Sequence, residues 1–224
     1  MSIKENLLSL KNTFVNPACL LVAVSKTHPA DAISEAYDFG VRDFGENKVQ
    51  ELEEKAQNLP KDIRWHFIGH LQSNKVKFIA PFIYLIHGVD SFKLLGEINK
   101  QAEKSDRIIS CLLQVYIAKE ESKFGLDENE LEDLVQGEAI KNMKNVKIIG
   151  LMGMATYTDK EEIVRQEFRN LKSIFDKLKT RHLPPNFDLQ EISMGMSGDY
   201  VIGQEEGSTM VRIGTAIFGQ REYK

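Results

Sequence analysis

The stretch "LLVAVSKTHPADAISEAYDFG", residues 20–40, contains one complete strand–turn–helix unit and decides the predicted fold. Five apolar residues run directly into a Ser-Lys-Thr turn centred on Lys26. Pro29 then suits the start of a helix and Gly40 suits its end, with apolar residues recurring on one face between them. A continuous apolar strand followed by an amphipathic helix is typical of a parallel sheet buried on both faces.

The same unit repeats along the chain. Eight apolar runs are each followed by a polar turn: Leu20–Val24, Val41–Phe44, Ile63–Ile68, Ile83–Val89, Ile108–Ile117, Val146–Met154, Glu191–Met196 and Met210–Phe218. Helical spacing recurs between them, at 30–39, 91–104, 127–140 and 160–182. Eight such units predict an α/β fold, a (β/α)8 TIM barrel with an extra N-terminal helix from residue 2 to about 12. A doubly wound open sheet is the alternative.

The composition is that of an ordinary globular protein. The chain has 29 Lys and Arg residues and 33 Asp and Glu residues. The resulting net charge of −4 argues against a nucleic-acid partner. No apolar segment is long enough to span a membrane, and the N-terminus lacks a secretion signal. Cys19 and Cys111 each lie in an apolar run, as buried thiols do in a reducing compartment. We therefore expect a cytoplasmic protein, with residues 1–224 forming a single domain.

The residues that follow the strands carry the chemistry, because the loops after barrel strands gather at one mouth. Glycines and hydroxyl residues cluster after the seventh strand and within the eighth run, as Ser197, Gly214 and Thr215. Their small side chains and free backbone N–H groups predict a phosphate cradle. Lys26 follows the first strand, which neighbours the eighth in a closed barrel. A lysine beside a phosphate site suggests a phosphorylated carbonyl compound bound as a Schiff base.

Each of these residues also has a purely structural interpretation. Lys26 could extend its ammonium group to solvent, and Ser197 could cap a helix. Gly214 could let a helix pack on the strand, and Arg212 could form an ion pair with Glu206 or Asp199. The acidic run "QELEEK" is predicted to be a solvated helix face. The spacing of the two histidines in "RWHFIGH" does not favour a metal site, because this segment is predicted to be strand and loop.

Several motifs, in matching order from about residue 20 to 219, resemble the family of pyridoxal phosphate homeostasis proteins. They are "AVSKT", "FGENKVQE", "WHFIGHLQSNK", "GLMGMA", "SMGMSGDY" and "GSTMVRIGTAIFG". The resemblance implies a fold-type III barrel for pyridoxal 5'-phosphate (PLP), similar to the N-terminal domain of alanine racemase. It implies an internal aldimine between PLP and Lys26, and a phosphate held by Ser197, Gly214 and Thr215. It also places Arg212 at the pyridine nitrogen, and Asn47 and Met194 beside the ring.

The function implied by the resemblance is PLP homeostasis without established turnover. Such a protein holds PLP on its lysine, buffers or delivers it to apo PLP-enzymes, and affects amino- and keto-acid balance. Alanine racemases carry a further domain that supplies a tyrosine base, whereas here only a few residues follow the eighth run. A charged arginine at the pyridine nitrogen also weakens the electron sink that carbanion chemistry needs. We expect a monomer, since a complete barrel has no exposed sheet edge.

Three alternatives remain open from the sequence. The first is a PLP-dependent amino-acid racemase or weak lyase, which needs a base on each face of the cofactor. The second is a Schiff-base aldolase that uses Lys26 on a phosphosugar without a cofactor. The third is an interaction module whose barrel mouth docks apo-enzymes, with PLP incidental.

Overall fold

The computed structural model describes residues 2–118 and 124–220, so that Lys123, which follows the fifth apolar run, lies outside the described residues. Eight parallel strands form a closed barrel in chain order, in which β8 pairs with β1. The strands are β1 Leu20–Val24, β2 Asp43–Glu46, β3 Arg64–Phe67, β4 Leu85–Val89, β5 Ile109–Gln114, β6 Val146–Met152, β7 Phe187–Met196 and β8 Met210–Ile213. The predicted (β/α)8 barrel is therefore confirmed, and the open sheet is wrong.

Helices follow the strands around the outside of the barrel. They are α1 Ile3–Lys11, α2 Ala30–Asp38, α3 Val49–Asn58, α4 Val76–Ile79, α5 Phe92–Lys104, α6 Glu128–Gln136, α7 Glu138–Lys141, α8 Glu161–Lys179, α9 Tyr200–Glu205 and α10 Thr215–Phe218. The predicted N-terminal helix is α1. It starts at a capping box, in which Ser2 and Glu5 each accept the other's backbone N–H. Among the described residues, no helix is both long and apolar enough to cross a membrane.

Alternating strand residues form two separate apolar layers. One small cluster contains residues from strands around the whole barrel, namely Val22, Leu85, Leu112, Met152 and Met210, and fills the barrel interior. Their strand neighbours, such as Ala23, Ile86 and Val211, belong to the large cluster shared with the helices. Because successive side chains point to opposite faces of a strand, cluster membership tells which residues point inward.

Several predicted segments differ from the structure in their bounds; β7, for example, begins at Phe187, whereas the seventh run was predicted from Glu191. The eighth apolar run was predicted as one strand, but β8 ends at Ile213 and residues 215–218 form the short helix α10. Apolar character alone does not separate a buried strand from a short buried helix. The helix predicted at 127–140 is divided at Gly137, which ends α6 and begins α7. Both cysteines are free and buried, as predicted.

Candidate functional site

The ends of β7, β8 and β1 are in direct contact at the barrel mouth. Ser197 follows β7, and its Oγ accepts the backbone N–H of Gly214, which follows β8, at 3.3 Å. A Cβ on Gly214 would lie 3.0 Å from the carbonyl oxygen of Val24, the last residue of β1. Gly214 therefore lets the turn after β8 lie close against β1. Ser197 is not a helix cap, since the residue before α9 is Asp199.

Lys26 lies in the turn after β1, two residues beyond Val24, and is half-buried. The next residue, Thr27, has a φ of 69°, which is the left-handed region. A β-branched residue seldom adopts this conformation, and such strain persists only where the surroundings enforce it. The Thr27 N–H donates to Glu51 Oε1 of α3 at 2.6 Å. The backbone at Lys26 is thus set by a contact from the neighbouring βα unit.

A buried lysine that the sequence did not single out supports the same turn. Lys55 of α3 donates to the Ser25 carbonyl oxygen at 2.8 Å, to Glu46 Oε1 at 2.8 Å and to Glu51 Oε1 at 2.7 Å. Lys55 is only 7% exposed, so the prediction that "QELEEK" is a solvated face was wrong for its lysine. The helical spacing contained the signal, because Lys55 falls three residues after buried Leu52.

Glu46, at the end of β2, is the acidic centre of this cluster. Its Oε1 accepts from both Ser25 Oγ, at 2.6 Å, and Lys55 Nζ, while its Oε2 has no hydrogen-bond partner among the described residues. Burial raises the pKa of Glu46, and the charge and hydrogen bonds of Lys55 oppose that rise. The carboxylate therefore depends on Lys55 for its charge balance.

Arg212 lies inside the barrel in β8, two residues before Gly214, and is 4% exposed. Its guanidinium donates to the carbonyl oxygens of Ser193, at 2.8 Å, and Gly153, at 3.2 Å. Burial lowers the pKa of Arg212 to about 10, and the charge of Asp199 opposes this, so the group stays cationic at neutral pH.

The ion pair predicted for Arg212 with Glu206 is not formed. Glu206 instead accepts from Arg165 at 2.7 Å and Arg169 at 2.9 Å. Within residues 2–118 and 124–220, no salt bridge joins Arg212 to a carboxylate. Arg212 is therefore a buried cation inside the barrel, with neutral oxygens as its hydrogen-bond acceptors.

The other three predicted site residues differ in position and burial. Thr215 is exposed at the start of α10, directly after Gly214. Asn47 follows β2 and packs against Gly69 after β3, where a Cβ on that glycine would lie 2.8 Å from the Asn47 Cβ. Met194 is fully buried in the outer apolar cluster, on the strand face opposite its neighbour Ser193. The structure thus brings Lys26, Ser197, Gly214 and Thr215 together, and does not bring the Met194 side chain to them.

The two histidines of "RWHFIGH" are separated in space. His66 lies fully buried inside the barrel, whereas His70 is exposed after β3, where its Nδ1 lies 3.1 Å from Asp90 Oδ2. His87, in β4, contacts His66 in the interior. These interior histidines were missed because their partners come from strands remote in sequence.

The chemistry of the cradle suits a phosphate group. Ser197 and Thr215 offer hydroxyls, and apart from the chain neighbours of Gly198 no heavy atom of the described residues lies within 4 Å of the position of a Cβ on that glycine. Hydroxyls and backbone N–H groups without bulky side chains are ordinary phosphate ligands. Lys26 carries a primary amine and follows the end of β1. Arg212 is cationic and lies one residue before the end of β8. Both strand ends form part of this cradle. A primary amine, a buried cation and a cradle with hydroxyls at one edge of the barrel are the groups that a phosphorylated carbonyl compound would need.

Comparison with known proteins bears on this site. The family model described as "Alanine racemase, N-terminal domain" matches residues 1–222. The pyridoxal phosphate homeostasis protein of Aquifex aeolicus is 41% identical over 204 residues, which cover 91% of this chain and 87% of that protein. PipY of Synechococcus elongatus, solved with PLP bound, is 36% identical with a TM-score of 0.86, and the match covers 97% of this chain and all of that one.

A more distant likeness concerns the fold alone. Alanine racemase of Clostridium difficile is 13% identical with a TM-score of 0.81. The match covers this whole chain but only 58% of the racemase. The barrel is therefore shared with an enzyme of which it forms little more than half.

Proposed function

Because the chain belongs to the family of the alanine racemase N-terminal domain, and within it to the pyridoxal phosphate homeostasis proteins, we propose that it binds PLP at the β7–β8–β1 edge and holds it for supply. One observation carries this proposal: the hydrogen bond between Ser197 and Gly214 closes a cradle of small residues against Val24, two residues before Lys26. PLP bound in PipY, a relative of the same fold that this chain matches over nearly its whole length, supports it.

Each residue of the proposed site has a distinct task. When bound, PLP supplies an aldehyde that condenses with a primary amine, with loss of one water, and a conjugated ring that absorbs visible light. Lys26 supplies the amine. Ser197 and Thr215 donate hydroxyl hydrogen bonds to the phosphate, and Gly214 keeps its approach free of a side chain. Arg212 would offer a buried positive charge to the pyridine nitrogen, and Asn47 would contact the ring.

We further propose that the protein holds PLP without turning over a substrate. A guanidinium that remains charged at neutral pH disfavours a proton on the adjacent ring nitrogen, and so weakens the electron sink that carbanion chemistry requires. The Aquifex aeolicus relative named above as a homeostasis protein supports this, whereas the racemase likeness extends to the fold only. The racemase or lyase alternative predicts measurable turnover that depends on Lys26.

The proposal extends to the setting of the protein. Residues 1–224 would act as one PLP-binding domain and as a monomer, passing PLP to apo-enzymes in the cytoplasm. The closed barrel supports the monomer, because it leaves no strand edge for pairing with a second copy. The two free, buried cysteines fit a reducing compartment.

The direct test is the visible spectrum of the purified protein mixed with PLP and passed through a desalting column. We expect a yellow protein that bleaches on borohydride reduction, with the pyridoxyl mass on the peptide that contains Lys26. Protein that stays colourless with excess PLP would contradict the proposed function. The aldolase alternative would then be tested by borohydride trapping of a phosphosugar on the same lysine.

Replacing Ser197 with alanine should weaken PLP binding by about tenfold or more, since a hydrogen bond to a charged group contributes about 1.5–3 kcal/mol. The measurement is the dissociation constant of PLP by spectral titration. Pyridoxal, which lacks the phosphate, is the matched control ligand, and its affinity should change little. An equal loss for both ligands would show that Ser197 does not contact the phosphate.

A further inference from the structure

A chain of buried polar side chains crosses the barrel interior and ends at Arg212. Asp43 Oδ1 lies 3.0 Å from His66 Nε2, and His66 Nδ1 lies 2.9 Å from His87 Nε2. His87 Nδ1 lies 3.0 Å from Ser193 Oγ, which lies 2.5 Å from Arg212 Nη1. His87 is in β4 and Ser193 in β7, strands that are not neighbours in the barrel. Their contact therefore spans the interior.

The far end of the chain is anchored by charge. Arg64 donates to both carboxylate oxygens of Asp43, through Nε at 2.7 Å and through Nη2. Although burial acts to raise it, the hydrogen bonds from Arg64 and His66 hold the pKa of Asp43 below its ordinary value. Asp43 is therefore a carboxylate that only accepts hydrogen bonds, while Arg212 at the other end only donates them.

The histidines between these ends are neutral. Burial lowers the pKa of His66 against the hydrogen bond and charge of Asp43, with a smaller lowering contribution from Arg64. Burial lowers the pKa of His87 well below its ordinary value, and the charge of Arg212 acts in the same direction. Glu191 of β7 opposes this only weakly, and only at His66. Each imidazole therefore carries a single N–H.

With one N–H on each ring, only one arrangement satisfies every contact. Asp43 requires the His66 proton on Nε2, which leaves His66 Nδ1 to accept from His87 Nε2–H. His87 Nδ1 must then accept the Ser193 hydroxyl proton. The Ser193 oxygen consequently turns its lone pairs to Arg212. Every donor along the chain points the same way, from Arg212 to Asp43.

From this geometry we propose that His66 and His87 are positioning residues that hold Arg212 in place as a hydrogen-bond donor, and thereby keep the pyridine nitrogen of bound PLP unprotonated. The ring part of this inference rests on the proposed function, whereas the hydrogen-bond chain itself does not. Neutral histidines suit this task better than a carboxylate beside Arg212 would. A direct carboxylate would cancel the positive charge that suppresses protonation of the ring.

Ser193→Ala interrupts the hydrogen-bond chain between His87 and Arg212. It removes one hydroxyl and leaves both histidines and Arg212 in place. Ser208→Ala is the matched control. Ser208 is also buried between β7 and β8, but its hydroxyl contacts the backbone of Ile192, Met194 and Met210 and the Cys19 thiol, all outside the histidine chain. Both variants lose one buried hydroxyl, so a merely structural role would affect them alike.

The first readout uses the protein without PLP, labelled with ¹⁵N-histidine for NMR. In the wild type, His66 and His87 should remain neutral with the proton on Nε2 from about pH 8 to about pH 5.5, a range in which an ordinary histidine titrates. Ser193→Ala should shift the Nδ1 resonance of His87, and Ser208→Ala should not. Titration of either wild-type histidine near its ordinary pKa, or equal spectra for both variants, would overturn the chain.

The second readout uses PLP labelled with ¹⁵N at the ring nitrogen. We expect an unprotonated nitrogen in the wild type and in Ser208→Ala. In Ser193→Ala, a less constrained Arg212 should raise the protonation midpoint by at least about 0.5 pH unit. If PLP binds all three proteins and its ring nitrogen has the same protonation midpoint in each, the positioning role is overturned and the proposed function stays intact. Wild-type protein that binds no PLP would overturn the proposed function and the ring part together, while the first readout still decides the chain.

Discussion

Lys26→Ala is expected to abolish retention of PLP, from about one molecule per chain to less than about a twentieth after desalting. The covalent bond adds to the phosphate contacts in retaining PLP during desalting, and alanine has no amine to form it. Absorbance, borohydride reduction and peptide mass together measure the loss. Folding should be little affected, because Lys26 is half-buried in a turn outside the apolar clusters.

Lys48→Ala is the matched control for this result. Lys48 also follows a barrel strand, β2, but it is exposed and precedes α3. It should retain PLP as the wild type does. In Lys26→Ala, a pyridoxyl mass found on another peptide at wild-type yield would show that Lys26 is not the attachment site of PLP.

Lys55→Met is expected to destabilise the fold by about 3–5 kcal/mol, since breaking a buried pair leaves one charge uncompensated. The side chain of Glu46 is fully buried and that of Lys55 is 8% exposed. Methionine keeps the length of the lysine stem, so the loss reports the ammonium group and not the packing. The free energy of unfolding in urea is the measurement. PLP affinity should fall as well, because the Ser25 carbonyl loses its donor beside Lys26.

The pH dependence of this loss has a definite sign. Removing Lys55 raises the already elevated pKa of Glu46 further, so the folded variant takes up a proton that the unfolded chain does not. The deficit should therefore be smaller near pH 5 than near pH 8, growing as pH rises from the ordinary glutamate pKa toward the raised folded value. A deficit independent of pH would argue against Glu46 as the cause.

Two comparisons isolate the buried pair. Lys172→Met removes an ion pair with Asp176 whose side chains are 37% and 55% exposed, and it should cost less than about 1 kcal/mol. The double variant Lys55→Met with Glu46→Met should recover most of the stability, because no buried charge remains. If Lys172→Met costs as much as Lys55→Met, burial is not what makes the Glu46 pair important.

The sequence predicts the barrel and the position of the candidate site well, for a topological reason. Eight apolar runs with helical segments between them allow few arrangements, and closure makes β1 the neighbour of β8. Residues that follow β7, β8 and β1 then lie at one edge without any knowledge of side-chain contacts. Lys26, Ser197 and Gly214 could therefore be placed together from spacing and strand order.

The contacts that the sequence does not predict depend on which side chains meet across the fold. His87 reaches Ser193 across the barrel interior, and strand periodicity gives the face of a residue but not its partner on a distant strand. Lys55 was assigned to solvent because lysines are mostly exposed, and its burial depends on an acceptor supplied by β2. The side chain of Met194 points outward because its neighbour Ser193 occupies the interior.

The contact of Gly214 with Val24 lies on the seam where the first and last strands of the barrel meet. Joining these strands closes the longest loop in the chain, and it is the step with the largest entropic cost of closure. A ligand bound to Lys26 on one side of the seam and to Ser197 and Thr215 on the other would link the two sides. PLP at a hundred times its dissociation constant would add about 2.7 kcal/mol to the stability of the folded protein. Delivery of PLP would remove this link and leave the PLP-free protein easier to unfold. Unfolding and degradation of the protein would then depend on the supply of PLP.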